Sequence, residues 1–215
     1  MNYIFKDRND AAKRLADKLK KYKNEDGVIL AIPRGGVPIG YYIAEDLDLP
    51  LEIVLSKKIG HPNNSEFAIG SVSLQGVVID ESVTGIPKDY IERESNRILE
   101  VLEEKFKLFM GDCKLTDLKN RTVIIVDDGV ATGNTIMATI NAVKKSYPKK
   151  IIVAVPVSPI ESARKLSVMV DEFICLQIPK VFFGVGQFYD DFSQVSDEEV
   201  MEYLKKNQRL LKPSL

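Results

Sequence analysis

Residues 123–135 decide the fold, and they read Val123-Ile-Ile-Val-Asp-Asp-Gly-Val-Ala-Thr-Gly-Asn-Thr135. The four β-branched apolar residues at the start predict a strand buried on both faces, which is typical of a parallel sheet. Asp127 and Asp128 end this strand, and residues 136–143 can form a helix. The stretch therefore predicts a strand, a loop that carries two carboxylates, and a helix.

The loop has the composition of an anion-binding site. Gly129 and Gly133 permit turns in which successive backbone N–H groups converge on one point. The helix that follows would add the positive end of its dipole, and Thr132 and Thr135 can add hydroxyl donors. Since the two carboxylates can accept from vicinal hydroxyls, the loop predicts a ligand with both a diol and a phosphate, such as a sugar phosphate.

Three other interpretations of this loop fit its residues less well. A tight strand-to-helix connection needs only one capping residue, such as Asp128 or Thr132, and the loop carries more. A nucleotide P-loop would have lysine where Asn134 stands. The dinucleotide fingerprint places no acidic pair ahead of its glycines. The sugar-phosphate interpretation remains the best supported.

A second strand-and-loop unit lies near the amino terminus. Residues 28–32 form another apolar run, and Pro33-Arg34-Gly35-Gly36-Val37-Pro38 follows it. An arginine beside two glycines at the start of a helix predicts a second anion site. The alternative is an ordinary Pro/Gly turn with a solvated arginine.

A third run, residues 51–60, carries Lys57 and Lys58, which point to opposite faces if the strand continues through them, so that one can reach the cleft.

The order of the predicted elements indicates an α/β fold with a doubly wound, mostly parallel sheet flanked by helices. In such sheets ligands bind beyond the carboxyl ends of the strands, where the strand order reverses, so both loops should open on that edge. One domain spanning 1–215 is expected. Strands are predicted at 28–32, 51–56, 67–74, 76–80, 122–127, 150–156 and 172–177, and helices at 8–22, 38–46, 88–110, 133–146, 159–167 and 197–204.

The bulk properties exclude several classes of protein. Thirty basic and 31 acidic residues give a net charge of −1, which argues against a general DNA-binding or membrane-binding surface. The first residues lack the layout of a signal peptide. Cys113 and Cys175 are too few and too far apart for a disulfide framework or a metal clip. A cytoplasmic location is expected.

The two loops together resemble the type I phosphoribosyltransferase family, and the likeness extends from Phe5-Lys-Asp-Arg8 to Tyr189-Asp-Asp-Phe192, as in a poorly characterised bacterial group. The resemblance implies phosphoribosyl pyrophosphate (PRPP) as substrate. Asp127 and Asp128 would hold its ribose hydroxyls, and the first loop, with a cis peptide at Pro33–Arg34, its pyrophosphate. The resemblance also implies a small hood and a flexible loop. The residues implied to bind PRPP are Arg34, Gly35, Gly36, Asp127, Asp128, Gly129, Ala131, Thr132, Gly133, Asn134 and Thr135.

The family's activity would be Mg²⁺-dependent transfer of the phosphoribosyl group to a nitrogenous base, in nucleotide salvage. Ala131 stands where hypoxanthine/guanine enzymes carry an aspartate base, which argues against 6-oxopurine salvage by the same chemistry and is compatible with adenine, xanthine or orotate-type relatives without choosing among them. The alternative is a non-catalytic PRPP-binding regulator. A homodimer is possible. The implied catalytic residues are Arg34, Lys57 and Lys58. Asp127, Asp128 and Asp190 would contact the metal, mostly through PRPP or water. Phe182 and Phe183 would contact the base.

Residues 59–75 are rich in turn formers and are expected to form a mobile lid that excludes water from the cleft. His61 lies in this segment. An exposed histidine without a role is the favoured interpretation, and contact with pyrophosphate is the alternative.

Overall fold

The computed structural model describes residues 4–211 except 81, 112 and 114. Its first sheet has five strands in the order β2-β1-β6-β7-β8, and every neighbouring pair is parallel. The strands are β1 (Gly27–Ala31), β2 (Leu51–Ile53), β3 (Ser56–His61), β4 (Asn64–Ser73), β5 (Gly76–Ile79), β6 (Thr122–Val126), β7 (Lys150–Val157) and β8 (Glu172–Gln177). The helices are α1 (Arg8–Leu19), α2 (Gly36–Leu47), α3 (Lys88–Met110), α4 (Asn134–Lys144), α5 (Ile160–Ser167) and α6 (Asp197–Leu211), with 3-10 turns at Lys20–Tyr22 and Val185–Phe188.

Alternate residues of the central strands enter two separate cores, one on each face of the sheet. Ile124 and Val126 of β6 pack with α1, α2 and α6 on one face. Val123 and Ile125 pack with α4 and α5 on the other. This two-sided burial explains the unbroken apolar runs in the sequence, because a strand covered on both faces has no solvent side for polar residues. The predicted doubly wound α/β fold is confirmed.

The second sheet is antiparallel, in the order β3-β4-β5, and it corrects two predictions. The predicted strand 51–56 is really two, since β2 ends at Ile53 and β3 begins at Ser56 in the other sheet. Most of the expected lid at 59–75 lies in the β3–β4 hairpin, and only Pro62 and Asn63 form its turn. His61 helps to close that turn, because its Nδ1 accepts a hydrogen bond of 3.1 Å from the backbone of Asn63.

The long helix α3 packs against this second sheet. Its residues Ile98 and Leu102 belong to the same core as Ile59 and Ile69 of the hairpin. Within the described ranges, no helix has the length and apolar character needed to cross a membrane.

Candidate functional site

The loops after β1 and β6 lie side by side, because these strands are parallel neighbours with Ala31 opposite Val126. The strand order reverses between them, since α2 leads from β1 to β2 on one side and β6 lies on the other. The backbone N–H of Ile32 donates to the carbonyl of Val126 at 3.0 Å. Both predicted loops therefore open at the reversal point of the sheet, where ligands bind in this class of fold.

The first loop fits against the second only because it contains glycine. A Cβ at Gly35 would lie 1.8 Å from Oδ2 of Asp128, and one at Gly36 would lie 2.8 Å from the carbonyl oxygen of Val126. These distances are far shorter than ordinary van der Waals contacts of 3.4–4 Å. The peptide bond between Pro33 and Arg34 is cis, as the resemblance implied.

The two carboxylates each have one oxygen held by the protein. Oδ1 of Asp127 accepts from the backbone N–H of Asp128 at 2.9 Å. Oδ2 of Asp128 accepts from Nε and Nη2 of Arg8 at 3.0 and 2.8 Å. Within the described residues, Oδ2 of Asp127 and Oδ1 of Asp128 accept no hydrogen bond. The pair thus keeps two acceptor oxygens, one per carboxylate, which is the number that a vicinal diol needs.

Burial makes this pair costly to ionise. Desolvation raises the pKa of Asp127 well above its ordinary value, and the neighbouring charge of Asp128 raises it further. Desolvation also raises the pKa of Asp128, although Arg8 opposes the shift. Hydroxyl donors or a cation would stabilise the ionised form of these buried carboxylates. Acidic groups with pKa values raised in this way are common at functional sites.

The second loop is anchored from two sides and borders a cavity. The N–H of Val130 donates to the carbonyl of Val157 at 2.8 Å, and the hydroxyl of Ser162 donates to the carbonyl of Ala131 at 2.8 Å. Gly133 precedes α4 with a φ of 80°, a backbone conformation that favours glycine. Among the described residues, the N–H groups of 131, 132 and 133 have no acceptor. These three residues line a cavity of about 210 Å³ together with the start of α4.

The residues that line this cavity include all five from Ala131 to Thr135 of the predicted PRPP-binding set. Thr132, Asn134 and Thr135 are exposed to solvent along its wall. Asp127 and Val185 also line the cavity, and a Cβ at Gly129 would lie only 2.5 Å from Cγ1 of Val185. Unpaired amides, hydroxyls and a helix N-terminus around one small space are the features of a phosphate site.

Arg34 lies at the rim of the same edge of the sheet. Its Nη1 is 3.7 Å from Oδ1 of Asp197, the first residue of α6, and both side chains are more than a third exposed. The contact is long for an ion pair, so it leaves the guanidinium available to a ligand.

The two predicted lysines separate to opposite faces of β3, as their spacing required. Lys58 lies beside Asn134 in a cavity of about 450 Å³ between the second sheet and α4. Lys57 faces α3. The hydrogen bond from Arg97 lowers the pKa of Glu94 on that helix, and the charge of Lys57 lowers it further. Of the two, Lys58 is the one that the fold brings next to the phosphate loop.

The predicted base-binding residues differ in their surroundings. Phe182 stacks on Phe188 at a centroid distance of 5.6 Å, whereas Phe183 is 90% exposed. Val185, two residues later, lines the phosphate cavity. The Phe183 ring is therefore exposed and lies two positions before a residue that lines the cavity, while Phe182 is already packed. Asp190 is exposed, and its backbone N–H donates to Phe5 at 2.9 Å.

Two residues at the site were not predicted. Arg8 contacts Asp128, which is 120 positions away in the sequence. Tyr189 donates its hydroxyl to the carbonyl of Asp128 at 2.7 Å. A weak signal did exist for Arg8: it is the first residue of α1, where a positive charge opposes the helix dipole and so calls for a tertiary partner.

The oxygen donors at this edge fit Mg²⁺ in one particular mode. No group of three or more His, Cys, Asp or Glu side chains among the described residues could hold a metal alone. Mg²⁺ commonly binds through one or two carboxylates together with substrate phosphates. Asp127 and Asp128 supply suitable oxygens for that shared arrangement.

Comparison with known proteins agrees with this geometry. Residues 4–193 match the family model of the phosphoribosyl transferase domain. Two Mycobacterium tuberculosis proteins, provisionally named phosphoribosyl transferases, are 35% identical over an alignment of 213 residues that covers 96% of this chain and 47% of theirs. The chain thus spans about half the length of these relatives.

Solved structures share the fold. A protein from Thermus thermophilus superimposes with a TM-score of 0.87 at 35% identity, over 94% of this chain and 98% of that one. An Aquifex aeolicus protein shares the fold alone, with a TM-score of 0.50 and 13% identity over 80% of this chain and 72% of that one. The family match over most of the chain, together with the loop pair at the sheet edge, shows that the chain belongs to the phosphoribosyl transferase domain family.

Proposed function

We propose that the protein transfers the 5-phosphoribosyl group of PRPP to a nitrogenous acceptor and releases pyrophosphate. The observation that carries the proposal is the contact between the two loops, in which Gly35 lies against Asp128. This contact brings a diol-binding carboxylate pair, a phosphate cavity and an arginine loop to one edge of the sheet. A molecule with a 5-phosphate, two ring hydroxyls and a pyrophosphate has a matching group for each.

The roles of the residues follow from this placement. The N–H groups of 131–133 and the hydroxyls of Thr132 and Thr135 hold the 5-phosphate. The free oxygens of Asp127 and Asp128 accept from the ribose hydroxyls. Together these contacts fix the pentose at both ends, so that its anomeric carbon faces the loop that carries Arg34.

The chemical step breaks the bond from the anomeric carbon to a pyrophosphate oxygen and forms one to an acceptor nitrogen, which loses a proton. Negative charge grows on the departing pyrophosphate, so donors fixed in advance stabilise the transition state more than the ground state. Arg34, the amides of Gly35 and Gly36, and Lys58 supply such donors. Bound Mg²⁺ would neutralise phosphate charge, and Asp127 and Asp128 would contact it mostly through PRPP or through water.

The acceptor is a nucleobase or a similar heterocycle in this proposal, with Phe183 as the residue that stacks on it. Stacking on an aromatic ring tolerates different bases, so it does not choose among adenine, xanthine and orotate-type acceptors. A role in cytoplasmic nucleotide salvage is the simplest context for this reaction.

A substrate screen tests the proposal. The protein is incubated with PRPP, Mg²⁺ and one nucleobase at a time, and pyrophosphate release is followed by a coupled assay. Release that depends on one base and is lost in Asp127→Ala/Asp128→Ala supports the transferase. Tight PRPP binding without release for any base would contradict it and would support the non-catalytic regulator.

A further inference from the structure

Arg8 is unusually well fixed for a long basic side chain. Its Nε and Nη2 both donate to Oδ2 of Asp128, and its Nη1 donates to the carbonyl of Ser193 at 2.8 Å. Its guanidinium carbon lies 4.1 Å from the ring centroid of Phe192. Only 12% of the side chain is exposed. Every part of the guanidinium is therefore held by a named contact.

The peptide segment around Arg8 is fixed as well. The N–H groups of Ile4 and Phe5 donate to the carbonyl of Phe188, and the N–H of Asp190 donates back to Phe5. The ring of Phe5 packs on Tyr189 at 5.2 Å. These contacts join the start of the chain to the segment after β8, so that Arg8 reaches Asp128 from a rigid base.

The two Arg8 nitrogens that reach Asp128 donate to the same oxygen of its carboxylate. The same Oδ2 is also the atom of Asp128 nearest to Gly35, which has no side chain that could displace it. With Oδ2 clamped by Arg8 and the carbonyl of Asp128 held by Tyr189, the carboxylate has one fixed orientation, in which Oδ1 stays open. An unclamped carboxylate would rotate and would lose this preorganisation.

We infer that Arg8 is a positioning residue for pentose recognition, which acts through Asp128 and does not itself touch the sugar phosphate. The inference rests on the proposed function, since it assumes that the open oxygen of Asp128 accepts from a ring hydroxyl. It assigns Arg8 to the hydroxyl end of the pentose and not to the phosphate end.

A calorimetric binding series with two probes tests this role. Ribose 5-phosphate presents both a phosphate and ring hydroxyls to the site, whereas inorganic phosphate presents no hydroxyl donor for the pentose end at Asp127 and Asp128. Arg8→Gln is expected to weaken ribose 5-phosphate about tenfold, because it loses charge-assisted hydrogen bonds, while phosphate affinity stays within about twofold. Arg8→Lys, which keeps the charge, is expected to restore part of the loss.

The matched control is Arg14→Gln on the same helix. Arg14 is half exposed and pairs with Asp10 at 2.6 Å, away from the two loops, so both probes should bind as in the wild type. In the Asp128→Ala background, Arg8→Gln is expected to cause no further loss of ribose 5-phosphate affinity, because its target is gone.

The outcomes separate the two ideas. Wild-type affinity for ribose 5-phosphate in Arg8→Gln, or an equal loss for both probes, would overturn the role of Arg8 while leaving the proposed function intact. An independent loss in the Asp128→Ala background would overturn it too. Failure of the wild type to bind ribose 5-phosphate would overturn the proposed function and this inference together. Arg8→Lys carries the test if Arg8→Gln does not fold.

Discussion

Replacing Gly35 with alanine should disrupt the contact on which the site depends. The three heavy atoms nearest to the new Cβ all belong to the carboxylate of Asp128, at 1.8, 2.4 and 3.1 Å. To reach the 3.4 Å of an ordinary contact, the carboxylate must leave its place beside Arg8. Overpacking of this kind costs about 1–3 kcal/mol, and we expect Gly35→Ala to lower the free energy of unfolding by that amount.

Urea unfolding of a double-mutant cycle isolates this contact. Asp128→Ala removes all three clashing atoms, so adding Gly35→Ala to it should cost much less stability than in the wild type. The two changes should therefore couple by about 1–2 kcal/mol. Calorimetry on the same proteins should show that Gly35→Ala weakens ribose 5-phosphate binding, since the open oxygen of Asp128 moves. An equal cost of Gly35→Ala in both backgrounds would refute the packing of the two loops described above.

Three further predictions concern single residues. Because burial raises the pKa of Asp127 above 3.8, the folded state binds more protons than the unfolded state, and the free energy of unfolding should fall as pH rises from 3.8 towards the folded pKa. In urea titrations at a series of pH values, Asp127→Asn should flatten this dependence and should be more stable than the wild type at pH 8. An unchanged slope of stability against pH would contradict the burial argument. Arg34→Ala should slow turnover more than it weakens ribose 5-phosphate binding, as steady-state kinetics and calorimetry can show, whereas equal losses would mean that Arg34 does not act on the leaving group. Burial raises the pKa of the Cys175 thiol to about 11, so a thiol reagent at pH 8 should modify only the exposed Cys113 in the native protein and both cysteines in urea. Rapid labelling of native Cys113→Ser would contradict this.

The sequence was most informative where one short stretch contained the whole signal. The loop of 127–135 combines an acidic pair, two glycines and two threonines directly after an apolar strand, and parallel strands place such loops at one edge. The rule that parallel strands place their loops at one edge of the sheet also predicted that the loop of Gly35 lies beside the loop of 127–135. These features are local, so no knowledge of distant contacts was needed.

Contacts between distant residues could not be read in the same way. Arg8 resembles any other basic residue near a helix start until the fold brings it to Asp128. The apolar run after residue 51 gave no sign that the chain leaves the first sheet at Val54, because hydrophobic periodicity does not show which sheet a strand joins. Pro62 and Asn63 do make a turn, but it is one tight turn between two strands and not a long loop.

Calorimetric titration of PRPP in the presence of Mg²⁺ tests the central claim most directly, with the wild type compared with Asp127→Ala/Asp128→Ala and circular dichroism used to check that both are folded. The account predicts saturable binding by the wild type and none measurable by the folded double variant. Equal affinity in the two proteins would contradict it, because the loops after β1 and β6 would then not be what holds the pentose.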